Sequence, residues 1–319
     1  MTATFTRRLF TASALLATLA PSLRPIHAAR PPPKSPFGPD STAEQVTAGL
    51  NLTGKTVVIT GCNSGIGYET MGVLALRGAH VIGTARTAEK GRQACESIEG
   101  KATPVVLDLA EFSSVVACAS EIARLASSID ILICNAGIVL DDHEQVRGIE
   151  KQFVVNHLGH FILTRHLLDR LIQAPQGRIV VVGSGDHRNA PPGGIQFERL
   201  SGEGWQRRGY SHSKLANGLF SLELSRRLHG TRATSNCVTP GHTRTHILRN
   251  VKADYRRDAR TPQQGAATIC YVATNPALAH VSGEYFRDCR PAEQSAHQTD
   301  QAMAARLWKV SEELAREFL

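Results

Sequence analysis

The sequence predicts a single α/β domain with a doubly wound, mostly parallel, seven-stranded sheet. From Leu52 onward, short runs of β-branched residues alternate with longer segments of helical periodicity, which is typical of βαβ units. Hydrophobic residues make up 42% of the 319-residue chain, which excludes a largely disordered protein. No run of about 20 apolar residues occurs, so no ordinary membrane-spanning helix is expected.

The β-branched runs define the strands. They are predicted at residues 56–60, 81–84, 103–107, 130–134, 178–182, 233–238 and 284–286. Segments between them, such as 68–77 and 113–126, carry the apolar face of a helix. Right-handed crossovers would place these helices on both faces of the sheet. The alternation has no break and no internal repeat, so residues 51–319 are predicted to form one domain.

The first 28 residues have the composition of an export leader. Arg7 and Arg8 precede an uncharged run at 12–20, and small or branched residues end the segment at Ala28, as in a secretory signal. The adjacent arginines are typical of a twin-arginine signal, which predicts a periplasmic or other extracytoplasmic location. An organelle transit peptide and an unprocessed tail on a cytoplasmic protein are the alternatives. The proline-rich residues 29–50 are predicted to be a linker.

The charge distribution argues against nucleic acid as a partner. The net charge is +8, but residues 1–39 hold five basic and no acidic residues, which leaves only +3 for the rest. The seven cysteines are scattered without a CxxC pair, which favours buried thiols over disulfides. Histidines such as His157 and His160 have ligand-like spacing, but no carboxylate or cysteine completes a set. No metal site is therefore predicted.

The first predicted strand runs directly into a glycine-rich turn, and a helix follows. Glycines allow the backbone to turn tightly and to approach a pyrophosphate, whose charge is stabilised at the positive amino end of the helix. A strand, turn and helix in this order are typical of a Rossmann-type dinucleotide-binding fold. The predicted cofactor contacts in the turn are Gly61, Asn63, Ser64, Gly65, Ile66 and Gly67.

The end of the second predicted strand indicates which dinucleotide binds. An acidic residue there would hold the ribose 2′-hydroxyl of NAD, whereas an arginine accommodates the 2′-phosphate of NADP. Ala85 stands at the acidic position and Arg86 follows it. The sequence therefore predicts NADP in preference to NAD, with Arg86 as a contact, and a merely solvated Arg86 is the alternative.

Tyr210 and Lys214 are four residues apart, so in a helix both project from one face. A free tyrosine has a pKa of about 10 and is a poor base at neutral pH. A lysine ammonium and an oxidised nicotinamide ring would both favour the phenolate and lower that pKa. Tyr210 would then exchange a proton with a carbonyl or alcohol oxygen. Ser184, just after the predicted strand at 178–182, is placed to polarise a carbonyl with its hydroxyl.

With the spacing G-x-x-x-G-x-G in the turn, these residues resemble the short-chain dehydrogenase/reductase family, from about Leu52 to Leu319. The resemblance implies an NAD(P)-dependent enzyme that acts on CH–OH groups. It adds Asn156 to the catalytic residues Ser184, Tyr210 and Lys214, as the organiser of a water linked to the lysine. It implies further cofactor contacts at Asp108, Leu109, Asn135, Ala136, Gly137, Tyr210, Lys214, Pro240, Gly241 and Thr245.

Within that family the chain looks like the retinol dehydrogenase branch, which the WW-domain oxidoreductases share. The long segment between Ser184 and Tyr210 and the carboxyl-terminal run from Ser282 to Cys289 carry this likeness. It implies an apolar or amphiphilic alcohol, aldehyde or ketone as the substrate. A basic segment at 242–260 would instead suit an anionic group, or it forms a solvated helix face. Its basic residues are Arg244, Arg249, Lys252, Arg256, Arg257 and Arg260.

Two other functions stay open at this stage. A nucleotide-binding scaffold or sensor would keep the Rossmann site without hydride transfer. A related reductase, such as one resembling protochlorophyllide reductase, would share the fold. Family members commonly pair subunits through the helices that carry the residues matching Asn156 and Tyr210, so the resemblance also implies a homodimer or homotetramer.

Overall fold

The sheet is built from short aliphatic and β-branched runs, as the sequence predicts. The computed structural model describes residues 34–205, 208–247 and 259–319. Its strands are β1 (Thr56–Ile59), β2 (His80–Ala85), β3 (Lys101–Val106), β4 (Ile131–Cys134), β5 (Gln145–Val146), β6 (Ile149–Glu150), β7 (Arg178–Val182), β8 (Thr234–Thr239), β9 (Tyr285–Arg287) and β10 (Arg290–Pro291). The central strand β1 is almost wholly buried, because helices cover both faces of the sheet.

The strand order fixes the location of the ligand site. One sheet runs in the order β10-β9-β8-β7-β4-β1-β2-β3, while β5 and β6 form a small separate hairpin. Every neighbouring pair in the large sheet is parallel except β9 with β10. The chain runs outward from β1 to β3 and then returns to β4 on the other side of β1. Open α/β sheets bind ligands beyond the carboxyl ends of the strands at such a reversal.

The sequence predicts seven strands in the large sheet, but the sheet has eight in the described part of the chain. The additional strand, β10, pairs with β9 across a two-residue turn at Asp288 and Cys289. Both turn residues have positive φ, 55° and 57°, where glycine and asparagine are the usual residues, so the sequence gives no hairpin signal. Tertiary contacts hold this turn: Cys289 is buried, and its backbone N–H donates to Thr268 Oγ1 at 3.1 Å.

Helices cover the sheet on both sides. Their bounds are α1 (Ala43–Val46), α2 (Gly65–Leu76), α3 (Ala88–Glu96), α4 (Phe112–Leu125), α5 (Lys151–Phe153), α6 (Gly159–Gln173), α7 (Gly209–Arg227), α8 (Pro262–Thr274) and α9 (Gln301–Leu314). One hydrophobic core contains α1, α2 and α8, and the other contains α4, α6, α7 and α9. A π-helical turn, Val154–Leu158, joins α5 to α6. Among the residues that the structure describes, no helix has the length and hydropathy needed to cross a bilayer.

Part of the predicted linker at 29–50 is structured. Thr42 begins α1 with a capping box, in which its hydroxyl and the Gln45 side chain satisfy each other's backbone N–H groups. Ala43 and Val46 are buried in the core beside α8. The proline-rich composition around them concealed this short amphipathic segment. The predicted leader, 1–28, lies outside the described residues.

Helix α9 closes the core on the side of α6 and α7. The Trp308 ring is buried against Phe161 of α6 and Phe220 of α7, with centroid distances of 5.0 and 5.9 Å. Ser311 bonds through its hydroxyl to His157 Nε2 at 2.8 Å. This side of α6 and α7 is therefore already covered within the chain.

Candidate active site

The glycine-rich turn takes a shape that side chains would not permit. Gly61 and Gly65 have φ values of 72° and 57°, in the left-handed region that favours glycine. A Cβ atom at Gly67 would lie 2.1 Å from the Gly61 carbonyl oxygen. Helix α2 begins at Gly65 with Ser64 as its N-cap, so its positive end lies in the turn. The turn is therefore suited to hold an anionic group against bare backbone.

Thr60 connects this turn to the segment after β4. Its Oγ1 accepts hydrogen bonds from the backbone N–H groups of Asn135 and Ala136, both at 2.9 Å. The Asn135 side chain donates in return to the Thr60 carbonyl oxygen, also at 2.9 Å. Asn135 and Ala136 thus hold the shape of the turn. Sequence reasoning missed Thr60, whose only signal was its position directly before the first glycine.

A cavity of about 790 Å³ lies beyond the carboxyl ends of the central strands. All predicted cofactor contacts line it: Gly61, Asn63, Ser64, Gly65, Ile66, Gly67, Arg86, Asp108, Leu109, Asn135, Ala136, Gly137, Tyr210, Lys214, Pro240, Gly241 and Thr245. Of the predicted catalytic residues, Ser184, Tyr210 and Lys214 line the cavity, and Asn156 is buried outside its lining.

Arg86 lies where this cavity meets a second one of about 630 Å³. Ala85 is buried at the end of β2, and Arg86 is exposed directly after it. Lys90 of α3 also lines the second cavity, and no Asp or Glu does so among the described residues. This end of the site is therefore positively charged, as a phosphate requires.

The loops after β3 and β8 complete the cofactor side. Asp108 Oδ1 accepts from the Ala110 N–H at 2.9 Å, which fixes the loop that contains Leu109. On the opposite wall, the Thr245 methyl group would be 3.1 Å from a Cβ atom at Gly65. Residues from three distant parts of the chain thus enclose the space above the glycine-rich turn.

Tyr210 lies in the first turn of α7, and its side chain is hydrogen-bonded to Ser184. Burial raises the pKa of Tyr210 to about 12; the bond with Ser184 acts against this and the Asp186 carboxylate adds to it. The sequence predicts that Lys214 and an oxidised nicotinamide ring together lower the pKa of Tyr210. In the protein without such a ring, burial has the larger effect and keeps the tyrosine protonated.

Lys214 lies one turn after Tyr210 in α7, as its spacing predicts. Its Nζ donates to the Val182 carbonyl oxygen at 2.9 Å and is 5.6 Å from the centroid of the Tyr210 ring. Burial lowers the pKa of Lys214 to about 8. The ammonium is thus positioned beside the tyrosine and loses its proton not far above neutral pH.

Asn156 lies in the π-helical turn between α5 and α6, a type of distortion that often occurs at functional sites. Its amide accepts from the Ile138 N–H at 2.8 Å and donates to the Ile138 carbonyl at 3.0 Å and to Ser213 Oγ at 2.9 Å. A Cβ atom at Gly137 would be 3.2 Å from Asn156 Oδ1 and 3.5 Å from Lys214 Nζ. Because glycine has no side chain, the space between Asn156 Oδ1 and Lys214 Nζ stays open at Gly137.

Other residues at this end of the cavity were not predicted. Asp186 and Arg287 bring charges near Ser184, and both line the cavity. Aliphatic residues also line the cavity, namely Ile138, Val139, Leu140, Val155 and Ile247. None of these residues belongs to a motif. Only the contacts between distant segments reveal their position.

The residues present fit a nicotinamide dinucleotide. Gly61, Gly65 and Gly67 line the cavity with bare backbone at the positive end of α2, and a basic pocket adjoins the turn. Ser184, Tyr210 and Lys214 line the same cavity at its other end. The arrangement can therefore place a reactive ring next to a proton donor and a polarising hydroxyl.

Comparison with known proteins gives relatives over most of the chain. The WW domain-containing oxidoreductase of Gallus gallus is 37% identical over 316 residues, which is 91% of this chain and 75% of that protein. Retinol dehydrogenase 11 of Homo sapiens is 39% identical over 83% of this chain and 87% of its own length. A chloroplastic short-chain dehydrogenase of Brassica napus, TIC 32 B, is 37% identical over 87% of this chain and 94% of its own length.

Solved structures have the same fold. An uncharacterized protein from Mycobacterium paratuberculosis superposes with a TM-score of 0.70 and 34% identity, covering 85% of this chain and 97% of that one. A protein described as an NAD(P) dependent gluconate 5-dehydrogenase from Beutenbergia cavernae, with bound NADP, has a TM-score of 0.60 and 25% identity, covering 74% and 95%. The family model for short chain dehydrogenases matches residues 55–256. This chain therefore belongs to the short-chain dehydrogenase/reductase family, in its retinol dehydrogenase-like branch.

Proposed function

We propose that this oxidoreductase uses NADP to interconvert an alcohol and a carbonyl compound, with an apolar or amphiphilic substrate. The observation that carries the proposal is the cluster of Ser184, Tyr210 and Lys214 in the same cavity as the glycine-rich turn. Such a cluster supplies a proton donor, a polarising hydroxyl and a cation around one substrate oxygen.

Side chains of this protein carry out the proton transfer to the substrate oxygen. When bound, the nicotinamide ring would give a hydride to the substrate carbon or take one from it. Ser184 donates a hydrogen bond to the substrate oxygen, and Tyr210 gives its proton to that oxygen as negative charge develops there. Lys214 holds a positive charge beside the phenol ring and stabilises the phenolate that remains. Oxidation of the alcohol reverses these transfers.

The preference for NADP rests on the second cavity. Arg86 and Lys90 line this cavity, and none of its described lining residues is a carboxylate. Because Ala85 stands at the end of β2, no acidic side chain is available there to bind a ribose 2′-hydroxyl. We expect NADPH to bind more tightly than NADH by calorimetry, and Arg86→Asp to lose this preference. Arg92→Asp is the matched control, because Arg92 is exposed on α3, six residues after Arg86, and lines neither cavity. Equal affinities for both cofactors in the wild type would contradict the proposal.

The substrate class rests on the aliphatic residues that line the cavity. Retinoids and other apolar aldehydes fit a wall of aliphatic side chains. Of the basic residues proposed for an anionic substrate, Arg260 forms an ion pair with Asp288 at 2.6 Å. Arg249, Lys252, Arg256 and Arg257 lie outside the described residues. Arg244, the remaining basic residue of that segment, lines neither cavity, so the aliphatic lining supports the apolar substrate.

Turnover with retinal and a panel of apolar and carboxylated aldehydes tests this assignment. We expect NADPH oxidation with the apolar members, and Tyr210→Phe to abolish it while NADPH still binds. Tyr271→Phe is the control, because Tyr271 is buried in α8 and lines neither cavity. Cofactor binding without turnover on any carbonyl would favour a nucleotide-binding scaffold instead.

For the location of the enzyme we propose export through the leader at 1–28, on the strength of Arg7 and Arg8. The chloroplastic relative from Brassica napus supports import into an organelle as the alternative. Fractionation of cells that express the full chain tests the proposal. Replacement of both arginines by lysine should retain the protein in the cytoplasm, and an unchanged distribution would contradict twin-arginine export.

A further inference from the structure

Asp186 connects the two segments that carry Ser184 and Tyr210. It lies in the 3-10 helix Gly185–Asn189, which begins directly after Ser184. Its backbone N–H donates to Ser184 Oγ at 3.1 Å. Because this bond occupies a lone pair of the hydroxyl oxygen, the hydroxyl proton is directed to another acceptor, either Tyr210 or a substrate oxygen.

The Asp186 side chain reaches the other segment. Its Oδ2 accepts from Ser211 Oγ at 2.6 Å, and Ser211 directly follows Tyr210 in α7. Its Oδ1 accepts from Asn189 Nδ2 at 2.7 Å, which fixes the carboxylate within its own helix. One residue thus joins the loop of Ser184 to the beginning of the Tyr210 helix.

The charge of Asp186 is poorly compensated. In the described ranges of the chain, the side chains that donate hydrogen bonds to its carboxylate, Ser211 and Asn189, are uncharged. The neighbouring His187 is kept neutral, because burial lowers its pKa. The carboxylate lines the cavity and adds to the raised pKa of Tyr210. A negative charge in this place opposes the formation of a phenolate.

Other charged or titratable groups surround this end of the cavity. Lys214 lies beside the Tyr210 ring, Arg188 belongs to the same 3-10 helix as Asp186, and Tyr285 packs on His187 of that helix. Asp141, Lys151, His242 and Arg287 line the remaining wall. Hydrogen bonds tie Asp186 to the segments of both Ser184 and Tyr210.

We propose that Asp186 is a positioning residue of this active site, which aligns Ser184 with Tyr210 and whose charge holds the proton on Tyr210. The consequence is a site that can donate a proton to a carbonyl over a wider range of pH. This inference rests on the proposed function for its relevance to catalysis, but its first test needs no substrate.

The first test follows the ionisation of Tyr210 by NMR of protein labelled with ¹³C at the tyrosine Cζ, with saturating NADP⁺. Tyr210→Phe assigns the resonance. In Asp186→Asn we expect the midpoint of the titration to fall by about one pH unit, because a like charge has been removed. Asp169→Asn, which removes an exposed carboxylate from α6, should leave the midpoint unchanged.

An unchanged midpoint in Asp186→Asn would overturn the proposed role of the charge. If that variant does not fold, Asp186→Ser removes the same charge and gives the same test. A lower midpoint in the absence of any turnover by the wild type would support this inference while contradicting the proposed function, so the two are distinguishable.

The second test separates alignment from charge. Ser211→Ala keeps the carboxylate but removes its bond to α7. We expect kcat for retinal reduction to fall by about tenfold with little change in KM, and the pH at which alcohol oxidation begins to stay the same. In Asp186→Asn that pH should fall together with the NMR midpoint. A Ser211→Ala variant with the kcat of the wild type would overturn the role of Asp186 in alignment.

Discussion

The glycine-rich turn, at the cofactor end, and the catalytic cluster line different parts of one cavity, and they are built in different ways. The turn is continuous in sequence and gets its shape from backbone that no side chain obstructs. The cluster joins Gly137, Asn156, Ser184, Tyr210 and Lys214, which come from four separate segments of the chain. The cofactor end therefore depends on local conformation, whereas the catalytic end depends on the packing of α6, α7 and α9 behind it.

The largest expected effect concerns that packing. Trp308→Ala removes a buried ring that contacts Phe161 and Phe220 and lies 4.2 Å from the Arg227 guanidinium. We expect the free energy of unfolding in urea to fall by about 3–5 kcal/mol. Lys309→Ala, an exposed neighbour, should change it by less than about 0.5 kcal/mol. Similar values for both variants would mean that α9 contributes little to the core.

A lower pH should destabilise the same region of the folded protein. Burial lowers the pKa of His157 to about 3, of His160 to about 4 and of His212 to about 3. These rings are neutral in the folded protein but gain protons in the unfolded chain below about pH 6.5. Stability is therefore lost as the pH falls through about 6.5 toward the folded values, by about 4 kcal/mol between pH 7.5 and 5.5 for the three together.

Urea unfolding at the two pH values measures this loss. His212→Gln should reduce it by about one third, because one of the three groups no longer titrates. A loss that is the same in this variant and in the wild type would show that other groups cause the acid sensitivity.

The cofactor end is tested by a pair of glycines in α2. A methyl group at Gly67 would overlap the Gly61 carbonyl oxygen, so Gly67→Ala should cost about 1–3 kcal/mol and weaken NADPH binding by about ten- to a hundredfold. At Gly72 the new methyl group would be 3.6 Å from Ile98. Gly72→Ala should therefore stabilise the helix by about 0.5–1 kcal/mol and leave the affinity unchanged. Calorimetry and thermal unfolding would detect both effects.

The smallest expected effect is the pH dependence of reduction. Because burial lowers the pKa of Lys214 to about 8, its ammonium is lost as the pH rises through that value. We expect kcat/KM for reduction to be constant below about pH 7.5 and to fall by about tenfold per pH unit above about 8.5. In Lys214→Arg the residual rate should stay constant in that range, because a guanidinium keeps its charge. A wild-type profile without a decline would exclude Lys214 as the titrating group.

The difference between the two ends also explains what the sequence could predict. The turn at 61–67, Arg86 and the Tyr210–Lys214 pair are local patterns, and all of them line the cavity. Asp186 has no such pattern, since only the hydrogen bond to Ser211 reveals it. Strand β10 was missed for a related reason, because buried contacts force Asp288 and Cys289 into a turn that favours other residues. Helix α1 was concealed by the prolines that precede it.

The pairing of subunits through α6 and α7 stays a prediction. Helix α9 limits which surface of these helices a second subunit could contact. Trp308 and Ser311 already occupy the side of these helices that faces away from the sheet. A dimer formed there would have to displace α9 or use its outer surface. Light scattering on the wild type and on a variant truncated after residue 299 would distinguish these cases.

Helix α9 also affects when the protein can fold during synthesis. The ribosome makes residues 301–314 after all the strands and all the other α-helices of the described domain. The apolar surface of α6 and α7 is therefore synthesised long before the helix that covers it. Completion of the domain must wait for this last helix, and until then the nascent chain is a candidate for chaperone binding.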